Sequence, residues 1–230
     1  MPSEQPERDV LRDQRRPCPS VEELDMGVYM KYADLFKHLD FNTDMGWGWL
    51  PPSDEVFDAF RYVADNIRPS NMLEIGYYNG HSTSYWAELL PNTQIRSCCP
   101  DHIRFLKSYR QVERAYGGRV EVIGIKSPQI LDYFNSGVED MYQFDFMFID
   151  GSHICEDVFT DIHVAIRLHA KHLLFDNASD RGVQMAIDWY VKHGILEQIK
   201  RWEYVGLCKN QTRWNDLTLF KVVSGHPLDM

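Results

Sequence analysis

The chain has 230 residues and a formal net charge of −10. That balance opposes attraction to polyphosphate, which depends on clustered Lys and Arg, so nucleic acid is not an expected partner. No run of about 18 to 20 apolar residues is present, which argues against a membrane span or a secretory core and leads to the expectation of a soluble, cytoplasmic protein. At this length one main domain is expected, burying roughly 70 to 75% of its unfolded surface. The five cysteines, Cys18, Cys98, Cys99, Cys155 and Cys208, lack the C-x-x-C spacing of zinc sites. Cys98 and Cys99 close an apolar run and read as packing residues.

Residues 1–20 set Arg8, Arg12, Arg15 and Arg16 among Pro, Glu, Gln and Asp, a composition too polar to order itself, and read as a flexible tail. Residues 21–52 read as an N-terminal helical segment followed by a lid loop. Its first half spaces Leu24, Val28, Tyr32, Leu35 and Phe36 at helical intervals, and its second half gathers Trp47, Trp49 and the Pro51-Pro52 pair, which no regular element accommodates. Those tryptophans either line a pocket or pin the loop to the core.

Residues 53–230 carry the main domain. Ser53 is a natural N-cap, with Asp54 and Glu55 in the first turn and Val56, Ala59, Phe60, Val63 and Ile67 on one helical face. Short apolar runs at 72–75, 94–98, 120–123, 144–149 and 172–175 read as strands. Helical patterns at 83–90, 103–116, 129–134 and 155–169 separate them. Strand and helix in alternation predict an α/β fold with a doubly wound, mostly parallel sheet. After a helix over 183–193, runs at 202–207 and 217–223 predict an antiparallel pair at the C-terminal edge.

In such sheets ligands bind beyond the carboxyl ends of the strands. The first strand ends Glu74-Ile75-Gly76-Tyr77-Tyr78-Asn79-Gly80. Its glycines permit a tight turn, and the missing middle glycine of G-x-G-x-x-G disfavours a dinucleotide. The fourth strand ends Asp150-Gly151-Ser152-His153, and the fifth ends Asp176-Asn177. If these strands are neighbours, two carboxylates and an amide oxygen meet as a hard oxygen set suited to Mg²⁺. The alternative is that Asp and Asn simply end strands as turn residues.

An acid followed by G-x-x-x-G at the end of a first strand resembles the first motif of class I S-adenosylmethionine-dependent methyltransferases. The D-G-x-H run, with D-N one strand later, resembles the metal-dependent O-methyltransferases of the catechol and macrolide-sugar type. The resemblance spans about residues 72–177 and implies a Rossmann-like methyltransferase fold. It also implies a bound S-adenosylmethionine and a divalent metal such as Mg²⁺ on Asp150, Asp176 and Asn177, with His153 as the base that takes a proton from a small-molecule or sugar hydroxyl. Toward the cofactor it implies Glu74, Gly76, Gly80, Asp101, Ser127 and Asp150. Metal coordination lowers a hydroxyl's pKa, and imidazole is suited to accept a proton near neutral pH.

Two positions depart from that pattern. Cys98 and Cys99 stand where relatives end the second strand in a ribose-binding acid, leaving Asp101 as its substitute. Lys126 stands where relatives carry an acid near the adenine, with Ser127 beside it. Three function classes therefore compete: an active O-methyltransferase, which is favoured; a noncatalytic binding or scaffold protein on the same fold; and a nucleotide-dependent oxidoreductase. The aromatic N-terminal segment could also seal a neighbouring copy's site in a homo-oligomer.

Overall fold

A computed structural model describes residues 53–100, 106–135, 143–208 and 211–223. The expected tail, helical segment and lid of residues 1–52, and Asp101, lie outside these. The first helix, α1 (Asp54–Asn66), starts as its sequence predicts: the Ser53 hydroxyl accepts from the Val56 N–H at 3.1 Å, and Val56, Ala59, Phe60 and Val63 are buried.

The chain then alternates through β1 (Asn71–Ile75), α2 (His81–Leu89), β2 (Gln94–Cys98), α3 (Leu106–Tyr116), β3 (Val120–Ile123), α4 (Ser127–Asn135), β4 (Phe146–Ile149), α5 (Cys155–Arg167), β5 (His172–Asp176) and α6 (Arg181–Lys192). Two long strands close it, β6 (Leu196–Cys208) and β7 (Gln211–Val222). The sheet order is β3-β2-β1-β4-β5-β7-β6, with β1 to β5 parallel and β7 antiparallel to both β5 and β6.

Side chains alternate across the sheet because a strand's period is two. Met72, Phe146, Phe148 and Leu174 enter one core with Phe60 of α1, Trp86 of α2 and Val112 of α3. Leu73, Met147, Ile149, Leu173 and Phe175 enter the other, with Ile130 of α4, Val158 and Ile162 of α5, and Ile187 of α6. Strands covered on both faces are apolar nearly throughout, and β4 is buried at every residue. Cys98 and Cys99 are buried in these cores, as packing residues should be.

Three expectations need adjustment. Strand β4 begins at Phe146, not at Phe144. Helix α4 starts at Ser127, two residues before the predicted 129, with Pro128 in the first turn, where a missing N–H costs nothing. The closing strands are much longer than 202–207 and 217–223: Trp202 and Tyr204 point inward while Arg201 and Glu203 are exposed, so charge on one face masked the strand pattern. The antiparallel pair does form one edge of the sheet as expected, with β6 outermost and β7 between it and β5.

Candidate active site

The order of the sheet reverses between β1 and β4, which places a crevice at their carboxyl ends. The register pairs Ile75 with Ile149 and Ile149 with Phe175, so the residues that follow, Gly76, Asp150 and Asp176, reach one level of the same edge. Gly76 turns the chain at φ +113°, with its N–H donating to the Cys98 carbonyl at 3.0 Å. A Cβ there would lie 2.0 Å from the Asp150 carbonyl oxygen. The glycine is therefore required by the β4 backbone, and a side chain at 76 would displace the turn and Asp150 together. Gly80 is likewise closed in, since a Cβ would meet the Tyr77 phenol oxygen at 2.7 Å.

Glu74 lies fully buried beneath this turn. One of its oxygens, Oε2, accepts from the Thr83 hydroxyl and from the Ser97 hydroxyl at 2.5 Å, while Oε1 has no hydrogen-bond partner among the described residues. Burial raises its pKa against the pull of the Ser82, Ser97 and Thr83 hydroxyls. In this arrangement its hydroxyl bonds fasten β1 to β2 and α2.

Asp150 and Asp176 are hydrogen-bonded to each other. Burial, the Asp176 charge and that bond raise the Asp150 pKa well above the carboxylate range, with Glu74 adding to the effect. Burial also raises Asp176, to about 6, although bonds from Tyr204 and Asp150 and the nearby His153 oppose it. Asp176 Oδ1 accepts from the Tyr204 hydroxyl and Oδ2 from the Asn177 amide, each at 2.5 Å. Asn177 has left-handed backbone at φ +53°, fixed by its N–H donating to the Asp216 carbonyl at 2.8 Å.

His153 stands beside this pair. Its Nδ1 lies 2.8 Å from Asp180 Oδ2, which assigns the Nδ1 proton to that bond and leaves Nε2 able to accept another. Asp180 is the N-cap residue of α6, yet its side chain makes no cap bond. The approach of α6 needs Gly182, where a Cβ would fall 2.1 Å from the His153 carbonyl oxygen.

The structure thus assembles Gly76, Asp150, His153, Asp176 and Asn177 at one edge, as expected, with Glu74 beneath. Ser127 opens α4 after β3 and is half-buried, with the buried Asp161 of α5 near it. Asp180, Gly182, Tyr204 and Asp161 escaped the sequence reading. Asp180 and Gly182 resemble an ordinary helix start, and Tyr204 an ordinary inward strand residue; nothing local ties any of them to residues 150–153.

No cluster of three or more His, Cys, Asp or Glu that could hold a metal is present among the described residues. The available donors are two carboxylates and one amide oxygen. This set fits a hard cation, because two buried acids held against each other are relieved by positive charge between them.

Residues 73–177 match the family model described as a methyltransferase domain. Over that span, a little under half of its length, the chain is similar to methyltransferase domains. No curated protein matches the sequence. Among solved structures, the cofactor-bound protein Rv0187 from MTB is 19% identical, with 90% of this chain and 99% of that one covered at a TM-score of 0.62. An O-methyltransferase from Bacillus cereus, solved in complex with SAH, is 16% identical, with 85% and 97% covered and a TM-score of 0.62. The O-methyltransferase TomG from Streptomyces achromogenes, involved in tomaymycin synthesis and solved with SAM, is 17% identical, with 86% and 90% covered and a TM-score of 0.58. At these identities the likeness is one of fold. The methyltransferase resemblance read from the strand ends holds, and the Rossmann-like sheet with its antiparallel closing strands is the fold those structures share. No helix among the described residues is long and apolar enough to cross a membrane.

Proposed function

We propose that the protein is an S-adenosylmethionine-dependent O-methyltransferase acting on a hydroxyl of a small molecule or sugar, with His153 as general base and a divalent metal such as Mg²⁺ held by Asp150, Asp176 and Asn177. The observation that carries the reading is the His153–Asp180 pair set beside the Asp150–Asp176 pair at the switch point of a sheet similar to methyltransferase domains. Asp180 engages Nδ1, which leaves Nε2 to serve as the proton acceptor. The acceptor oxygen forms a bond to the methyl carbon while the carbon–sulfur bond breaks; sulfur keeps the electron pair, and the hydroxyl proton passes to His153. A bound divalent cation would supply acidification of the acceptor hydroxyl.

The cofactor reading is supported by the SAH and SAM present in the two O-methyltransferase structures of this fold. On this chain Gly76 and Gly80 would shape its cradle, Glu74 would brace that cradle from below, Asp150 would border it, and Asp101 and Ser127 would face ribose and adenine. Cys98, Cys99 and Cys155 are free thiols, which suits a reducing, cytoplasmic setting.

A noncatalytic protein on the same fold is the second reading, favoured by the buried Cys98 and Cys99 at the end of β2. Calorimetry with S-adenosylhomocysteine, followed by transfer of a labelled methyl group to a panel of hydroxyl acceptors with and without chelator, separates the two. Binding with chelator-sensitive transfer is expected. Binding without transfer to any acceptor favours the second reading, and no binding removes the first.

A further inference from the structure

Tyr204 reaches the acid pair from two strands away. Asp176 stands opposite Leu217 of β7, and Leu217 stands opposite Trp202 of β6, so Tyr204 lies one step further out along the carboxyl edge. Its side chain is 2% exposed and packs in the same core as Trp202 and Leu217. From there its hydroxyl donates to Asp176 Oδ1 at 2.5 Å, while Oδ2 takes the Asn177 amide. Both oxygens of this carboxylate thus carry a donor, one from β6 and one from the turn after β5, and the group is held between them. Phenylalanine would fill the same core position. What the tyrosine adds is the bond to Asp176.

Cations of different size make different demands on a carboxylate. Ca²⁺ takes it by one oxygen or by both in a flexible shell, whereas Mg²⁺ requires a near-ideal octahedron, which the narrow bite of a chelating carboxylate breaks. Chelation also requires both oxygens to turn toward the same ion. Each oxygen of Asp176 keeps a lone pair and can ligate through it, but donors from two different elements oppose turning both at once. We propose that Tyr204 is a positioning residue that keeps Asp176 to a single oxygen toward a bound cation, and so makes the crevice selective for Mg²⁺ over Ca²⁺. This rests on the metal reading above and deepens it. The selectivity then comes from a residue outside the ligand set, on the outermost strand of the sheet.

The test is calorimetric titration of the metal-free protein with Mg²⁺ and, separately, with Ca²⁺ at pH 8. Wild type should bind Mg²⁺ more tightly. Tyr204→Phe should narrow the ratio of the two affinities by about tenfold, the lower end of what a bond behind a metal ligand contributes. Trp202→Phe disturbs the same face of β6 and leaves the phenol in place, so its ratio should match that of wild type; an equal shift there would assign the effect to packing and overturn the proposal. A role in packing alone would also weaken both ions equally in Tyr204→Phe and leave the ratio unchanged, with the same consequence. So does a wild-type preference for Ca²⁺, a result that needs no variant and keeps the proposal falsifiable if Tyr204→Phe does not fold. If wild type binds neither ion, the metal reading fails and this proposal with it, an outcome distinct from binding both without discrimination, which refutes the selectivity alone.

Discussion

Asp145 precedes β4 and Asp150 follows it, and the two carboxyls meet opposite surroundings. Asp145 accepts from the Ser70 hydroxyl at 2.5 Å, the Ser70 N–H at 3.0 Å and the Lys171 ammonium at 3.1 Å. Partial burial pushes its pKa up, but these donors together with the Asn71 N–H hold it at about 2. Asp150 is buried against a second acid, and its pKa is driven up. One end of the strand uses an acid to tie the fold together. The other keeps acids where they cost stability, an arrangement that persists at sites built for a ligand.

The largest effect that would sharpen this contrast is on turnover. His153→Ala should lower kcat about 10² to 10⁴-fold, roughly 3 to 5.5 kcal/mol of transition-state stabilisation, with S-adenosylhomocysteine affinity unchanged. Near-normal turnover in a folded His153→Ala protein would leave the hydroxyl proton to water. Asp180→Ala is expected to cost about 10 to 100-fold in kcat, because the ring loses its orienting bond while Nε2 is retained. A wild-type rate in that variant would show that the 2.8 Å bond does not orient the base.

A smaller effect concerns the acid pair and its sign. Folded pKa values raised above the unfolded value mean that the folded state binds the extra proton. Stability is then fully present below the unfolded value of about 4 and is lost as pH rises through about 6, the value for Asp176. The metal-free protein should melt at a lower temperature at pH 8 than at pH 5. Mg²⁺ should restore stability mainly at pH 8, by about 2.7 kcal/mol at a hundredfold excess over Kd. Asp176→Asn should reduce both effects; Mg²⁺ stabilisation undiminished in that variant would take Asp176 out of the metal site.

The sequence made the sheet legible because β1 to β5 are covered on both faces, so their apolar runs stand out against the helical period between them. The carboxyl-edge residues were legible for a related reason: in a parallel sheet every strand ends at the same edge, so Asp150 and Asp176 converge once their strands pair. The partners of those residues were not. Asp180 reaches His153 across a turn and a helix start, and Tyr204 reaches Asp176 from β6. Such contacts depend on where elements lie against each other, which no periodicity encodes. Gly76 shows the same limit in another form. Its sequence context suggests room for a ligand, whereas the nearest atom to a side chain there belongs to Asp150.

The smallest predicted effect lies at the other end of β4 and has the opposite sign. Asp145→Asn removes the charge that Ser70, Asn71 and Lys171 are arranged to receive. Because the folded pKa is depressed to about 2, the stabilisation is present above the unfolded value of about 4 and fades as pH falls toward 2. A shift of that size would correspond to about 2.6 kcal/mol for a wholly buried group, but the carboxylate is 30% exposed and Lys171 71% exposed, so screening reduces it to about 1 kcal/mol. Urea unfolding at pH 7 should therefore show Asp145→Asn less stable by about that amount, and the gap should narrow as the buffer is taken below pH 4. At pH 8, where the acid pair at the crevice is most costly, the Asp145 contribution should be undiminished. A penalty that stays constant from pH 7 to pH 3 would mean that Asp145 acts through its shape and hydrogen bonds alone, and the contrast between the two ends of β4 would no longer be one of charge.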